Sequence, residues 1–271
     1  MKNRKRRLAL CADDFGQSDQ ISQGIIELIA CRRVSATSVL TEGPDWPSSA
    51  YRLKYYQEHA DIGIHLNLTQ RFKNSRGNRP LIYWLLLTPL GLVSRDWVLQ
   101  RFLSQIDLFV KYFDRLPDFI DGHQHVHAFP VIRQAMLEAI QARWPEGSTK
   151  PWIRTPDRLV DSGGMPLKGL ILRAACRGFA EFVEKNGLRF TRKFGGLYAL
   201  DVAARFDKRM RRWLHEVPNG TMLMVHPGKP TVDFDDPICD ARAAEFRYLT
   251  GMPFAEDCIS AGVRLVRFDD L

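Results

Sequence analysis

Short apolar runs alternate with helical patterns along the whole chain, and this alternation constrains the fold more than any other feature. The runs at 8–12 and 221–225 have the continuous apolar character of strands that are buried on both faces. No linker rich in Ser, Gly or Pro and no internal repeat interrupts the series. Strands that alternate with helices predict parallel βα units. About seven such units predict an α/β fold of the distorted, TIM-like (β/α) barrel type, in a single domain over residues 1–271.

The apolar and turn patterns assign most of the chain to individual elements. The predicted strands are 8–12, 34–40, 60–68, 118–125, 152–156, 221–225 and 263–268. The predicted helices are 20–32, 47–58, 96–114, 130–143, 168–185, 202–216 and 240–250. Residues 70–95 do not follow this rhythm, so we expect an insertion there.

Composition and charge narrow the class of protein. Hydrophobic residues make up 45% of the chain and charged residues 26%, so the chain can bury a substantial core and is not disordered. The formal net charge of +8 permits an anionic partner. However, the Lys and Arg residues are spread along the sequence and no nucleic-acid-binding motif is present. We therefore expect no nucleic-acid partner.

The cysteines and the first residues bear on the compartment. Five Cys residues, an odd number without a C-x-x-C pair, predict reduced thiols in a cytoplasmic protein. The basic segment 2–7 resembles the start of a signal peptide, but the apolar run that follows it is too short for the hydrophobic region of one. We therefore expect a basic tail that leads into the first strand.

Polar side chains stand at the ends of four predicted strands. The acidic pair Asp13-Asp14 follows the first apolar run, and His65, His123 and His226 lie at or just after the ends of three others. In a (β/α) barrel the C-terminal ends of the strands face the same side and carry the chemistry. For the acidic pair alone, a solvated helix N-terminus is the alternative interpretation.

The heptapeptide 121–127 contains three of the seven histidines of the chain. A strand over 118–125 would put Asp121, His123 and His125 on one face, because side chains two residues apart point the same way. A histidine ligand needs a partner to orient its second ring nitrogen, and Asp121 suits that role. The alternative is a His-rich surface turn between a strand and a helix.

One carboxylate and two imidazoles form a familiar metal site. One residue of the acidic pair, together with His65 and His123, would supply three ligands and leave positions open for water and substrate. The other Asp would be free to act as a base on the metal-activated water, and His226 could act as an acid. Two imidazoles and a carboxylate suit Zn²⁺, with Mg²⁺ as the alternative divalent ion.

Four motifs of this sequence resemble those of a known family. They are Ala-Asp-Asp-Phe-Gly at 12–16, Gly-Ile-His-Leu-Asn-Leu-Thr at 63–69, Asp-Gly-His-Gln-His-Val-His at 121–127 and Val-His-Pro-Gly at 225–228. In order and spacing they are similar to the motifs of the YdjC-like carbohydrate deacetylases, which include the chitooligosaccharide and hopanoid-associated deacetylases. Four ordered motifs over most of the chain make the resemblance specific.

The resemblance implies a fold, a cofactor and a reaction. These are a distorted (β/α) barrel, a divalent metal ion and the hydrolysis of an N-acetyl group from an acetylated amino sugar or oligosaccharide. It also implies that Asp14, His65 and His123 are the metal ligands. Asp13 would be the general base and His226 the general acid. His125 remains an alternative to His123 as the third ligand.

Two further polar residues are expected near this constellation. Arg154, at the end of a predicted strand, is expected to orient Asp13 or to bind the sugar, with a surface charge as the alternative. Asn67, two residues after His65, is expected to contact the substrate or to support the ligands from behind.

Two other functions compete with deacetylation. A metal-dependent phosphoesterase would use the same Asp and His ligands, although such sites usually add a second metal and more carboxylates than this sequence offers. A non-catalytic sugar-binding barrel would have lost part of the constellation, and here every position is filled. Release of acetate or of phosphate from a panel of substrates separates the three.

The insertion combines basic and apolar residues. Four basic residues between 71 and 79 precede an apolar stretch at 81–93, which is too short to span a bilayer. It could pack over the barrel as a local core, form a sugar-binding lid with Tyr83 or Trp84, or face a membrane or a partner. The last alternative would suit a lipid-linked substrate. The sequence does not fix the sugar or the oligomeric state.

Overall fold

The computed structural model describes residues 5–73, 75–161, 163–233 and 235–271. Most of the expected basic tail, residues 1–4, lies outside the described part. The first strand begins at Arg6, so the last two residues of the expected tail, Arg6 and Arg7, belong to the sheet.

The described residues form one curled sheet of nine parallel strands. They are β1 (Arg6–Phe15), β2 (Ala36–Val39), β3 (Asp61–Leu66), β4 (Phe119–Gly122), β5 (Trp152–Ile153), β6 (Arg189–Phe190), β7 (Phe194–Gly195), β8 (Thr221–Val225) and β9 (Val263–Leu265). The order across the sheet is β6-β5-β4-β3-β2-β1-β8-β7, and β9 pairs with the start of β1. No ladder joins β6 to β7 in the described part of the chain, so the barrel is incomplete. The predicted α/β fold with a distorted barrel is confirmed.

Helices follow nearly every strand. Those described are α1 (Asp19–Ala30), α2 (Trp46–Lys54), α3 (Leu81–Leu87), α4 (Arg95–Phe113), α5 (Ile132–Arg143), α6 (Pro166–Ala175), α7 (Phe179–Lys185), α8 (Phe206–Glu216), α9 (Cys239–Thr250) and α10 (Met252–Ser260). In α1, Ser18 caps the first turn by accepting the N–H of Ile21, and the apolar stripe of the helix is buried against the sheet.

Several predicted elements differ in extent from the observed ones, and one helix was not predicted. The strand expected over 118–125 ends at Gly122, where its ladder with β3 also ends, and a 3-10 turn follows. The single helix expected over 168–185 is two helices, because Gly178 has a φ of +73° that only glycine adopts readily. The helix α10 was not expected, although Pro253 at its start is a typical first-turn residue.

The insertion between β3 and α4 contains α3 and is anchored by Trp84. This side chain is buried, its indole N–H donates to the carbonyl oxygens of Leu68 and Arg79, and its ring stacks on Trp97. A buried, fully bonded indole is not available to stack on a sugar. Trp84 therefore packs into a local core, as the first alternative for this segment predicts.

Two observations bear on the compartment. None of the described helices combines the length and the apolar character needed to cross a bilayer. None of the five cysteines is paired with another in a disulfide. The cytoplasmic location itself stays a prediction.

Candidate active site

An irregularity at the end of β1 turns both carboxylates of the acidic pair into one cavity. Neighbouring side chains of a regular strand point to opposite faces. Here the pairing register with β2 shifts between Ala12 and Phe15, and Asp14 has a φ of +71°. The resulting bulge re-aims the chain, so that Asp13 and Asp14 both line the same cavity.

Arg154 follows β5 and holds two carboxylates. Its guanidinium donates two 2.6 Å hydrogen bonds to the two oxygens of Asp13 and lies 2.6 Å from Asp121 Oδ2. All three side chains are buried, so the interpretation of Arg154 as a surface charge is wrong. Burial opposes the charge of Arg154, but Asp121 and Asp13 outweigh it and raise the pKa of Arg154 above its usual range.

Cys11, Asp13 and Asp121 are the three residues of the described chain whose ligand atoms lie within 4.8 Å of one another. The guanidinium of Arg154 already fills the space among them, since it bonds both carboxylates and lies 3.2 Å from the sulfur of Cys11. Burial, followed by the charge of Asp13, also raises the pKa of the Cys11 thiol well above its usual value. A second cation would be repelled there, so this cluster suits an arginine and not a metal ion.

His65, on β3, is oriented by a carboxylate. Its Nδ1 lies 2.6 Å from Asp121 Oδ1, which the hydroxyl of Ser38 also contacts. Burial disfavours the charged ring, but Asp121, Asp13 and Asp14 together raise the pKa of His65. The other ring nitrogen, Nε2, lies 3.6 Å from Asp14 Oδ1. This is the carboxylate–histidine arrangement that metal-binding histidines use.

His123 lies in the turn after β4 and is oriented by a hydroxyl. Its Nδ1 lies 2.6 Å from Thr69 Oγ1, and its ring packs edge-on against His65 with the centroids 5.7 Å apart. Burial lowers the pKa of His123 to about 4, so the imidazole is neutral at pH 7, the form that binds metals. Asn67 supports this contact from behind, since its side-chain oxygen accepts the N–H groups of Thr69 and Gln70.

Asp14 completes a set of donors that fits a divalent ion. Its Oδ2 accepts a 2.8 Å hydrogen bond from Arg242, whereas its buried Oδ1 has no hydrogen-bond partner. Burial raises the pKa of Asp14, but Arg242 and the surrounding histidines hold it well below its usual range. An ionised, unpartnered oxygen beside two imidazoles that are fixed by their other nitrogens matches the chemistry of a catalytic metal site.

His125 and His127 make other contacts than His123 does, although His125 also lines the cavity. Gln124 and His125 have φ values of +52° and +63°, so the expected strand face shared by Asp121, His123 and His125 does not exist. His125 packs edge-on against Phe194 and its Nδ1 has no hydrogen-bond partner. His127 Nε2 lies 2.9 Å from the carbonyl oxygen of Arg154.

His226 follows β8, whose last residue pairs with Ala12 of β1, so it lies on the strand next to the acidic pair and lines the same cavity. Its backbone N–H donates to Glu245, which also accepts the hydroxyl of Tyr198. Burial lowers the pKa of His226, and its buried Nδ1 has no hydrogen-bond partner. The backbone of this residue is thus fixed while its ring faces the cavity.

Arg242 and Glu245 were missed by the sequence analysis. They lie three residues apart on one face of α9 and are both buried. Arg242 bonds Asp14 and, over 2.6 Å, Asp236. The only signal in the sequence was a pair of opposite charges at i and i+3 of a predicted helix, which is also typical of exposed helix surfaces.

Glu245 predicts a dependence of stability on pH. Burial raises the pKa of Glu245 to about 7, although two donors favour its ionised form. Because this pKa lies above the ordinary value of 4.5, the folded protein binds this proton more tightly than the unfolded chain does. The stabilisation is therefore complete below about pH 4.5 and is lost as the pH rises through about 7.

The test compares the parent protein with Glu245→Gln, whose amide can accept from His226 and donate to Tyr198 without titrating. Urea unfolding across this pH window should show the free energy of unfolding of the parent falling relative to that of the variant. A difference that is constant with pH would contradict the assignment.

The cavity is lined by polar and by apolar side chains. Its volume is about 290 Å³, and its polar lining includes the acidic pair, His65, His123, His125 and His226. Its apolar lining includes residues of α3, α6 and the segment after β7, namely Leu81, Leu85, Ile171, Leu172 and Leu197. Neither Tyr83 nor Trp84 is among the described lining residues, which does not support the alternative of a sugar-binding lid formed by these two side chains.

The family model described as YdjC-like protein matches residues 7–259 of the chain. The chain belongs to the YdjC-like family. This YdjC-like chain is 29% identical over 257 residues to a mouse protein named carbohydrate deacetylase, a match that covers 83% of the chain and 79% of the mouse protein. It is 28% identical to a human protein of the same name, with 100% of the chain and 93% of the human protein covered.

Two further similarities concern a bacterial enzyme and a solved structure. The YdjC-like chain is 33% identical over 144 residues to a protein of Escherichia fergusonii named chitooligosaccharide deacetylase, which covers 47% of the chain and 53% of that protein. A crystal structure of an Enterococcus faecalis V583 protein, named for cellobiose-phosphate cleavage, has a TM-score of 0.72 at 18% identity and covers 98% of both chains. The latter similarity concerns the fold.

Proposed function

We propose that this YdjC-like protein is a metal-dependent carbohydrate deacetylase that hydrolyses an N-acetyl group from an acetylated amino sugar or oligosaccharide. The observation that carries the proposal is the convergence, in one cavity, of two oriented imidazoles, an unpartnered carboxylate oxygen and a second carboxylate held by an arginine. The names of the mouse, human and Escherichia relatives support the same reaction class.

Asp14, His65 and His123 would hold the divalent ion. When bound, the ion activates water and polarises the acetyl carbonyl. The hydrogen bonds of His65 to Asp121 and of His123 to Thr69 leave the two Nε2 atoms for this purpose. Two imidazoles and one carboxylate favour Zn²⁺, with Mg²⁺ as the alternative.

Asp13 is the proposed general base. Arg154 bonds both of its oxygens and so fixes the plane of the carboxylate; Oδ1 also accepts from the thiol of Cys11, whereas Oδ2 keeps a lone pair free for the water. Asp13 accepts the proton of the water as its oxygen attacks the acetyl carbon. The role of Arg154 in this proposal is to position Asp13, and not to bind the sugar.

His226 is the proposed general acid. The tetrahedral intermediate loses its amine only if the nitrogen receives a proton, because an amide anion is a poor leaving group. The ring of His226 is on the cavity wall, and its backbone is held by Glu245. In its protonated form His226 gives a proton to the sugar nitrogen, and the proton that Asp13 took from the water replaces it, so that acetate and the free amine are the products.

The test measures product release from a panel of N-acetylated amino sugars and phosphoesters, after chelation and after addition of Zn²⁺ or Mg²⁺. We expect metal-dependent release of acetate from at least one acetamido sugar and no phosphate. Phosphate release alone would favour the phosphoesterase alternative, and sugar binding with no product would favour the non-catalytic barrel.

Removal of either proposed histidine ligand should abolish stoichiometric metal binding. We expect His65→Ala and His123→Ala to lose the ion, because each would leave two protein ligands where catalytic sites use three. Metal content after dialysis measures this directly. The matched control is His215→Ala, an exposed histidine on α8 that lies outside the cavity.

His125→Ala separates the two candidate third ligands. It should retain the metal if His123 is the ligand. Loss of the metal from His125→Ala together with full retention in His123→Ala would assign the ligand to His125.

A further inference from the structure

The mouth of the active-site cavity lies between two helices that expose large apolar side chains. α3 contributes Leu81 and Leu85 to the cavity wall, and α6 contributes Ile171 and Leu172. Seven apolar residues of the same two segments, Ile171 among them, are 47–69% exposed to solvent. We call them the α3 lip (Ile82, Leu86, Leu90 and Leu92) and the α6 lip (Leu167, Leu170 and Ile171).

The α3 lip is held in place and is not a frayed segment. Trp84, in the middle of α3, is buried and bonded, and Thr88 closes the helix by donating to the carbonyl oxygen of Trp84. The helix therefore presents Ile82 and Leu86 to solvent while its opposite side is anchored. An exposed apolar patch of this kind is more often an interaction surface than an ordinary part of the solvent-exposed surface.

The segments that carry the lips are exclusively basic. Residues 70–94 and 163–180 contain seven Lys and Arg residues and no Asp or Glu, and the seven are Arg71, Lys73, Arg76, Arg79, Lys168, Arg173 and Arg177. Taking these seven from the 39 Lys and Arg of the chain leaves 32, against 31 Asp and Glu. The positive net charge of the chain, which looked dispersed in the sequence, is therefore concentrated in the two segments.

These basic residues are available to a partner. All seven are exposed, and none forms a salt bridge with a described residue. Protein surfaces usually intersperse both signs of charge, so two segments with seven cations, no acid and exposed leucines complement a partner that is anionic and apolar at once.

We propose that the two lips dock on an anionic membrane surface, with the mouth of the cavity turned toward the lipid headgroups. A bilayer offers an apolar layer under a negatively charged surface, which matches leucines flanked by arginines and lysines. The described helices do not span a bilayer, so the contact is peripheral. This docking is independent of the chemistry proposed for the cavity.

The experiment is sedimentation of the full chain with vesicles. One set contains equal parts of phosphatidylglycerol and phosphatidylcholine, and the other contains phosphatidylcholine alone. We expect binding to the first set that weakens as salt is added, because salt screens the charge attraction, and much weaker binding to the second.

Paired variants assign the binding to the lips. Leu86→Gln with Leu90→Gln, and Leu167→Gln with Leu170→Gln, should each weaken vesicle binding by about ten-fold or more. Arg76→Ser with Arg79→Ser should weaken it by roughly five-fold per residue on the anionic vesicles. The matched control is Met252→Gln with Ile259→Gln, two residues of α10 that are equally exposed but lie outside the cavity lining, and it should bind as the parent does.

Three outcomes would overturn the proposal. They are no sedimentation with the anionic vesicles, equal loss of binding in the α10 control, and a dimer in light scattering that the lip variants dissociate while vesicle binding is absent. The last would assign the lips to a second copy of the chain. Because the substituted side chains are exposed, urea unfolding should show unchanged stability, and acetate release from soluble sugars reports separately on the catalytic site.

Discussion

Asp13→Asn is expected to lower kcat by about 10²–10⁴-fold and to leave the divalent ion bound. The amide cannot accept the proton of the attacking water, which is the role proposed for this carboxylate. Asp13 is bonded by Arg154 and not by the imidazoles, so its loss does not remove a metal ligand from the proposed set. Kinetics on an acetamido sugar, together with metal analysis of the same preparation, measure both quantities.

The neighbouring substitution is the control. Asp14→Asn should lose the metal and the rate together, because Oδ1 of Asp14 is the unpartnered oxygen that faces His65. The two variants differ by one position in the chain and carry the same chemical change. If their behaviour were reversed, the roles of base and ligand would have to be exchanged. If Asp13→Asn kept most of the parent activity, the base would be another residue.

The site residues at strand ends could be predicted, because parallel strands bring their C-terminal ends to the same edge of the sheet. Asp13, Asp14, His65 and His226 lie at or next to the ends of strands whose apolar runs are plain in the sequence. The sequence alone could not show which way each of two adjacent carboxylates points. That depends on the bulge in β1, and a bulge is set by pairing with another strand.

Residues that act through long-range contacts were the least predictable. Thr69 is an ordinary threonine in the sequence, and only the turn after β4 brings His123 within 2.6 Å of it. Arg242 lies 228 positions from Asp14 along the chain. From the sequence, a charged helix residue of this kind is predicted to be exposed, because the local pattern carries no information about its distant partner.

The turn after β4 shows why the histidine cluster was misread. Alternating polar residues from Asp121 to His125 fit a strand, but the ladder with β3 stops at Gly122. Beyond it, left-handed backbone at Gln124 and His125 sends consecutive side chains in different directions. Asp121 does contact a histidine, as expected, but that histidine is His65 on the neighbouring strand and not His123.

Arg154→Met should destabilise the folded protein by about 3–5 kcal/mol, the largest loss of stability that we expect from any single change at the site. Methionine fills much of the volume but leaves Asp13 and Asp121 buried without their shared cation. Arg154 also holds the pKa of Asp121 below its usual range against the effect of burial, so the variant should unfold more readily at neutral pH than in mild acid, where the carboxylates can be protonated. Urea unfolding at the two pH values measures both effects.

A matched exposed pair and a double variant sharpen this test. Arg143→Met removes a similar two-bond contact with Asp107 at the surface and should cost only about 0–1 kcal/mol, because water replaces the lost partner. Adding Asp13→Asn to Arg154→Met should cost less than the sum of the two single changes, since it removes one of the carboxylates left unpaired. Simple additivity, or a loss in Arg154→Met no larger than that in Arg143→Met, would show that the buried guanidinium is not what holds the two carboxylates of the site in place.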